Sequence, residues 1–413
     1  MEHKRGWAKI KSDIPNKNYD TDVEYAIKLN RWLLKPIGVW PLELSSSRTE
    51  RIVTITTAVT CCLLMSFVLT IPCCIEMFSS QKDFKSRLEM LGPSSFCVMA
   101  VIKFFFFVIR GKEIRFCIDS VVTDWRNVDV PEERNIMLRK AKSARFLTTV
   151  CALFMYYGGI FYTTYLPLTT AKALSTENVT IRILPYRCNF ILFDPYAPLF
   201  FDIIYFLQCL SAAFMFTLTS GVCSLAANFI IHACGQCQII GLLLENLVDG
   251  RGNTSTTLEK RIAVVIVRHL HLLRFVTRVE DVLNEVCLVE FLGCTLNICL
   301  LGYYFITGLE TADTARFVTF ALLFISFTFN IFIFCYIGQL LTNHCHQIGE
   351  ISYTIDWYRI PGAQARFLIL LIAIANRPVT ITAGKIVQLS FPCFRDVLKA
   401  ALAYLNMLRK VTT

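Results

Sequence analysis

Residues 199–244 read LFFDIIYFLQCLSAAFMFTLTSGVCSLAANFIIHACGQCQIIGLLL. A helix crosses the ~30 Å of bilayer hydrocarbon with about 20 apolar residues. This apolar run is more than twice that length. It predicts a long helix, or a pair, whose first half spans a membrane and whose second half projects beyond it. His232, Gln236, Gln238, Glu245 and Asn246 gather in the second half, as a wetter setting requires. The fold class that follows is an all-α membrane protein with helical mass added on one side of the bilayer.

Six more apolar runs flank this one, at about 53–77, 88–109, 146–168, 284–308, 315–341 and 382–408. They are continuous rather than alternating, so helices and not a strand barrel satisfy the backbone in lipid. Only 17% of the 413 residues are charged and mean hydropathy is +0.53, where a soluble domain carries about 25% charge. Lysine and arginine swing between the connecting segments. Segments 1–52, 110–145, 233–281 and 342–381 hold 28 of them; segments 78–87, 169–197 and 309–316 hold 7. Basic residues stay on the cytoplasmic side. Seven transmembrane helices then leave the N-terminus cytoplasmic and the C-terminus extracellular, the reverse of a G-protein-coupled receptor. Residues 1–52 are polar and basic, so the first span is expected to serve as the insertion signal. The net charge of +10 reads as this topology signal plus contact with anionic membrane lipid, with no nucleic acid as partner.

The expected organisation is a cytoplasmic segment 1–52, transmembrane helices 1–4 over 53–232, a cytoplasmic helical part over 233–283, helices 5–6 over 284–341, a cytoplasmic amphipathic stretch over 342–381, and a last helix with a short outer tail over 382–413. Residues 258–283 show charged helical periodicity and return the chain to span 5. Both inner stretches carry more apolar area than water tolerates, which predicts an intracellular packing domain rather than helices lying on the surface.

Most of the 18 cysteines fall within spans, where they act as small apolar residues. In the 169–197 loop Cys188 has Cys73 or Cys74 as partner, or stays a free thiol. Cys234-Gly-Gln-Cys237 and His344-Cys345-His346 lack a second pair at zinc spacing, so no metal or cofactor is expected. Asn178-Val-Thr180 is a sequon on the outer side, hence a glycosylation candidate; Asn253-Thr-Ser255 lies inside. No Asp/Glu/His cluster has catalytic spacing, and no internal repeat points to a transporter.

The last span carries Lys385, Arg395, Asp396 and Lys399. Each charge at mid-bilayer costs about 3 kcal/mol, so this helix should face protein or water, as a pore-lining helix does. Pro392 is expected to kink or split it.

Tyr353, Trp357-Tyr358, Ala375-Asn-Arg377-Pro378, Thr382-Ala-Gly384-Lys385, Phe394 and Tyr404 make the chain resemble the insect odorant receptors over nearly its whole length. The sister gustatory receptors end differently: Ala403-Tyr404 and Lys410-Val411 stand where they carry Thr-Tyr and Gln-Phe. The resemblance implies an odorant receptor subunit, a ligand-gated non-selective cation channel, built as a heterotetramer with a shared coreceptor and lodged in the cell membrane of olfactory sensory neuron dendrites. It implies that the inner helices form an anchor domain and that the last helix lines the pore, with Met407, Lys410 and Val411 at the gate. A lysine ring would repel cations, so a homotetramer should conduct poorly. The short 245–260 stretch lacks the coreceptor's insert, which implies a tuning subunit. The alternative is a G-protein-coupled or gustatory-type chemoreceptor; the former predicts Asp-Arg-Tyr after span 3 and Asn-Pro-x-x-Tyr in span 7, and neither is present.

The resemblance also implies that a small volatile odorant binds in the outer half of spans 2, 3, 4 and 6. Topology restricts the candidates to Met90 and Phe96 on span 2; Met155, Gly158, Phe161 and Tyr162 on span 3; Tyr205, Gln208 and Cys209 on span 4; and Phe320, Phe324 and Phe327 on span 6. Met155, Gly158 and Tyr162 share one helix face.

Overall fold

The computed structural model describes residues 16–42, 46–79, 84–174, 182–190, 195–249, 257–310 and 314–412. Asn178 lies outside them. A short helix α1 (Tyr19–Leu34) precedes the first span, α2 (Arg48–Leu63) and α3 (Ile71–Phe78), joined by a π-helical stretch at Leu64–Thr70. Then follow α4 (Phe84–Ile109), α5 (Gly111–Arg126), α6 (Pro131–Ile160), a π-helical turn at Phe161–Tyr165 and α7 (Leu166–Leu174). Next come α8 (Pro198–Glu245), α9 (Leu258–Glu310), α10 (Thr314–Thr354) and α11 (Gly362–Ala375). A two-strand hairpin, β1 (Thr382–Ala383) and β2 (Val387–Gln388), leads into α12 (Phe391–Thr412).

The run quoted above is one unbroken helix. α8 has 48 residues, about 72 Å at 1.5 Å per residue. α9 likewise merges the charged 258–283 stretch with span 5, and α10 carries span 6 on to Thr354. Bilayer and inner portions are therefore lengths of the same three rods, and the expected divisions at 232, 283 and 341 fall inside them. α8 sits centrally against α6, α9, α10 and α1, with 89% of its most apolar window buried against 28% for the first span. That peripheral span turns Ile52, Val53, Ile55, Val59, Leu63 and Phe67 outward, the arrangement lipid selects.

Six helices are long and apolar enough to cross a membrane among the described residues. α12 is shorter and more charged. It also starts later than the sequence suggests: residues 382–390 form the hairpin, and Pro392 is the second residue of the helix rather than a kink within it. Proline suits a helix start because its missing N–H would be unpaired there anyway.

Both π-helical stretches directly precede a helical proline, Pro72 and Pro167. A proline cannot bond the carbonyl four residues back. Those carbonyls find other groups: Thr163 O accepts from the Tyr205 hydroxyl at 3.2 Å, and Val68 O faces Cys188 Sγ at 4.0 Å.

The inner end is tied by charge. Arg134 grips Asp22 with two bonds of 2.7 and 2.8 Å, fixing α1 to α6. Asp124 on α5 takes His232 of α8 at 2.9 Å and His271 of α9 at 3.0 Å. Burial would raise the Asp124 carboxyl, but hydrogen bonds and charge from His232 and His271 hold it down at about 2. The Cys-x-x-Cys and His-Cys-His segments meet: Cys237 Sγ is 3.9 Å from Cys345 Sγ. His344 is engaged by Lys140 at 2.9 Å, and no three ligands converge on a metal position among the described residues.

Candidate functional site

A cavity of about 270 Å³ lies among α4, the α6–α7 junction, α8, α9 and α10, under the segment 182–190. Its apolar floor is an aromatic cluster. Phe96 stacks on Phe216 with centroids 5.5 Å apart and meets Phe327 edge-on at 5.8 Å. Gly159 makes room for this: a Cβ there would lie 2.3 Å from the Phe216 ring. Tyr304 and Phe320 form one wall, 5.3 Å apart, and the Tyr304 hydroxyl donates to Leu88 O. Tyr162 and Tyr186 form another, also 5.3 Å apart.

Glu89, Arg187 and Arg316 bring charge to the cavity wall, and Ser94, Thr170, Asn297 and Ser326 add neutral polar groups. The Tyr162 hydroxyl has no hydrogen-bond partner among the described residues. Asn297 donates from Nδ2 to Gly293 O at 2.9 Å and Ser95 Oγ at 3.0 Å, which leaves Oδ1 as its acceptor.

Of the twelve residues read from sequence, the fold brings Met90, Phe96, Met155, Tyr162, Phe320 and Phe327 to the cavity wall. The other six are not in its lining. Gly158 faces α10, where a Cβ would come within 3.0 Å of Ser326 Oγ. Phe161 packs at a tilt against Tyr165, with ring centroids 5.1 Å apart. Tyr205 is held by the carbonyl that Pro167 leaves unpaired. Gln208 is fully buried and clamps the Tyr186 backbone, with 3.2 Å bonds to both its N–H and its carbonyl. Phe324 packs against the core and Cys209 is half-buried on α8, and neither lines the cavity.

Directly inward of the aromatic floor lies a sealed ion pair that the sequence reading passed over. Lys103 Nζ is 2.6 Å from Glu290 Oε1, with side chains 0% and 1% exposed. Lys103 also donates to Thr219 Oγ1 at 2.9 Å, and Glu290 Oε2 accepts from Asn330 Nδ2 at 2.9 Å. The cluster joins α4, α8, α9 and α10. Lys103 follows Phe96 by two turns, and Asn330 follows Phe327 by one. Its signal was present: a lysine and a glutamate set inside apolar runs, each needing a partner in the bundle.

The hairpin is latched to α9. Thr382 N donates to Glu280 Oε2 at 2.9 Å, its hydroxyl donates to Oε1, and Gly384 N donates to Asn284 O at 2.8 Å. Gly384 and Lys385 take φ of +62° and +59°. Lys385 is therefore a turn residue paired with Asp281 at 3.2 Å, not a charge within the last span. α12 packs on α9 and α10 through Cys393, Val397 and Ala401 and turns Arg395, Lys399, Tyr404, Met407 and Lys410 away from its own subunit. The Val411 side chain is outside the described residues.

The family model described as 7tm Odorant receptor matches residues 83–402. Odorant receptor 13a of Drosophila melanogaster is 25% identical over 48% of this chain and 52% of its own length. Odorant receptor 10 of Aedes albopictus is 22% identical over 56% and 61%. The match thus spans about half of these relatives. It reaches 77% of Odorant receptor 22b of Drosophila melanogaster, at 23% identity. The solved structure of the insect olfactory receptor OR5 from Machilis hrabei in complex with eugenol superposes with a TM-score of 0.80, covering 96% of this chain and 100% of that one at 14% identity, a likeness of fold. With the family model spanning most of the chain and the helix order shared with a solved insect receptor, this chain belongs to the insect odorant receptor family.

Proposed function

We propose that the chain is a tuning odorant receptor subunit that binds a small volatile ligand in the cavity and opens a non-selective cation channel assembled with the family's coreceptor. The observation that carries the reading is the cavity itself: lined mainly by apolar and aromatic side chains, in the half of the bundle that the charge pattern assigns to the outside. OR5 from Machilis hrabei was solved with eugenol. Affinity in such a site comes from apolar burial at ~25 cal/mol per Å², and the Tyr162 hydroxyl with Asn297 Oδ1 suits a ligand bearing one hydroxyl or carbonyl oxygen. Met90, Phe96, Met155, Tyr162, Phe320 and Phe327 are the contacts we assign to it.

In this reading the inner ends of α8, α9 and α10 with α11 form the anchor, where exposed Ile369, Leu370, Tyr353 and Tyr358 meet other subunits. The outward-turned face of α12 lines the pore, with Met407, Lys410 and Val411 at the gate. Coreceptor subunits supply most of that gate, since a full ring of Lys410 would repel cations. The protein acts in the dendrite membrane of olfactory sensory neurons, and Asn178 carries a glycan on the outer face.

The test is to record currents to an odorant panel with G-protein signalling blocked, with and without coreceptor. Currents should survive the block and depend on the coreceptor. Loss under the block, or full currents without coreceptor, would overturn the proposal.

A further inference from the structure

Segment 182–190 roofs the cavity, to which Ile183, Leu184, Pro185, Tyr186 and Arg187 contribute. Three ties hold this roof to the bundle. Gln208 of α8 clamps the Tyr186 backbone. Asn189 N donates to Pro72 O at 3.2 Å. Between those two, Cys188 Sγ lies 3.3 Å from Cys73 Sγ. Both thiols are nearly sealed, at 6% and 3% exposure, and Cys73 itself borders the cavity. The adjacent Cys74 is only half-buried.

We propose that Cys73 and Cys188 form a disulfide that staples the roof of the cavity to the first span. A disulfide requires sulfurs about 2.05 Å apart and α-carbons within about 7 Å. The neighbouring Pro72–Asn189 backbone bond already sets the two chains side by side, so side-chain rotation completes the approach. The chemistry is exchange with an oxidised dithiol of the secretory pathway, where such bonds form. One cysteine thiolate attacks the donor's disulfide and expels one donor thiolate. The second cysteine thiolate then attacks the mixed disulfide. The Cys73–Cys188 bond forms, the donor's disulfide breaks, and the two electrons and two protons leave with the donor as its dithiol. Exchange precedes the burial of the pair, while the roof is still unpacked. The bond links positions 115 residues apart, holding Tyr186 against Tyr162 and setting how far the roof can lift to admit a ligand. This rests on the outward orientation proposed above for the 169–197 loop.

Peptide mass spectrometry of the purified, non-reduced receptor, alkylated in denaturant with N-ethylmaleimide, tests it directly. The Cys73 and Cys188 peptides should appear cross-linked and unalkylated, and both should become alkylated only after dithiothreitol. Free, alkylated thiols before reduction, or a Cys74–Cys188 link, would overturn it. An epitope placed within residues 175–181 and stained on intact cells reads the orientation separately, so reduced thiols on a stained loop sink the staple while leaving the channel reading intact. The C73S/C188S double variant should shift the odorant dose–response relative to wild type at equal surface expression. An unchanged dose–response would overturn the role assigned to this bond in setting how far the roof lifts.

Discussion

Lys103 shows what a single side chain commits the bundle to. Truncating one member of a sealed pair leaves the other charged and desolvated, a loss of about 3–5 kcal/mol, whereas replacing both with apolar groups is often tolerated. Lys103→Met should therefore lower the thermal midpoint of detergent-purified receptor sharply, and Lys103→Met with Glu290→Met should recover most of it. A loss in the double variant equal to the sum of the Lys103→Met and Glu290→Met losses would show that the two are not coupled. At the cavity, Tyr162→Phe should weaken responses to ligands carrying a hydroxyl or carbonyl by about fivefold, the worth of one hydrogen bond of about 1 kcal/mol. Hydrocarbon ligands of the same shape should be unaffected, and a uniform shift for both classes would count against the hydroxyl contact. Half of the cavity candidates were placed by topology, which brings the outer ends of spans 2, 3 and 6 together, whereas the helix-face reading of Met155, Gly158 and Tyr162 lost Gly158 to α10. The roles of Tyr205 and Gln208 were not legible, because their partners are a carbonyl freed by Pro167 and a loop backbone, and no residue pattern on α8 announces either.

Among the elements, the hairpin before α12 departs furthest from the sequence expectation. Its apolar residues Ile381, Ala383 and Leu389 are buried, and their presence near a polar helix invited one continuous span from 382. What breaks the helix is Ala383-Gly384-Lys385-Ile386, whose two central residues adopt positive φ, closed by Ile386 N to Ala383 O at 3.1 Å. Gly384 is doubly constrained, since a Cβ there would sit 2.7 Å from Leu288 Cδ2. Gly384→Ala should cost about 1–2 kcal/mol from the left-handed backbone alone, with Leu288 adding to it. A thermal midpoint equal to wild type would contradict that geometry. The latch from Thr382 to Glu280 also means that α12 cannot shift without moving α9. The long rods, by contrast, were legible as to type but not continuity: periodicity is blind to whether a helix stops at a membrane surface.

For the whole molecule, the inner and outer halves are held by different forces. The outer half is packed through aromatic contact, the inner half through ion pairs such as Arg134–Asp22 and the Asp124–histidine cluster. An ordinary aspartate titrates near 3.9, and Asp124 is held at about 2 in the folded state. A depressed carboxylate stabilises fully above the unfolded value, and that contribution disappears as pH falls from about 4 to about 2. The stability gap between wild type and Asp124→Asn should therefore widen as pH falls from neutral and His271, whose pKa Asp124 raises, takes up its proton, then close as pH falls from about 4 to about 2. A gap that persisted unchanged below about 2 would exclude this account. The all-α class was accessible from composition alone, because the bilayer fixes helix length. The relative placement of seven helices was not, because lipid-facing and partner-facing apolar surfaces have the same chemistry.

The sealed pair also sets a schedule for biosynthesis. Lys103 precedes Glu290 by 187 residues, which at about 5–20 residues per second take roughly 10–40 s to synthesise. During that interval the second span holds an unmatched cation that the bilayer disfavours by about 3 kcal/mol. That cost favours keeping this span beside the insertion machinery or a chaperone until the fifth emerges. Chains truncated between the two would display an orphan lysine in the membrane, a mark by which quality control can remove them.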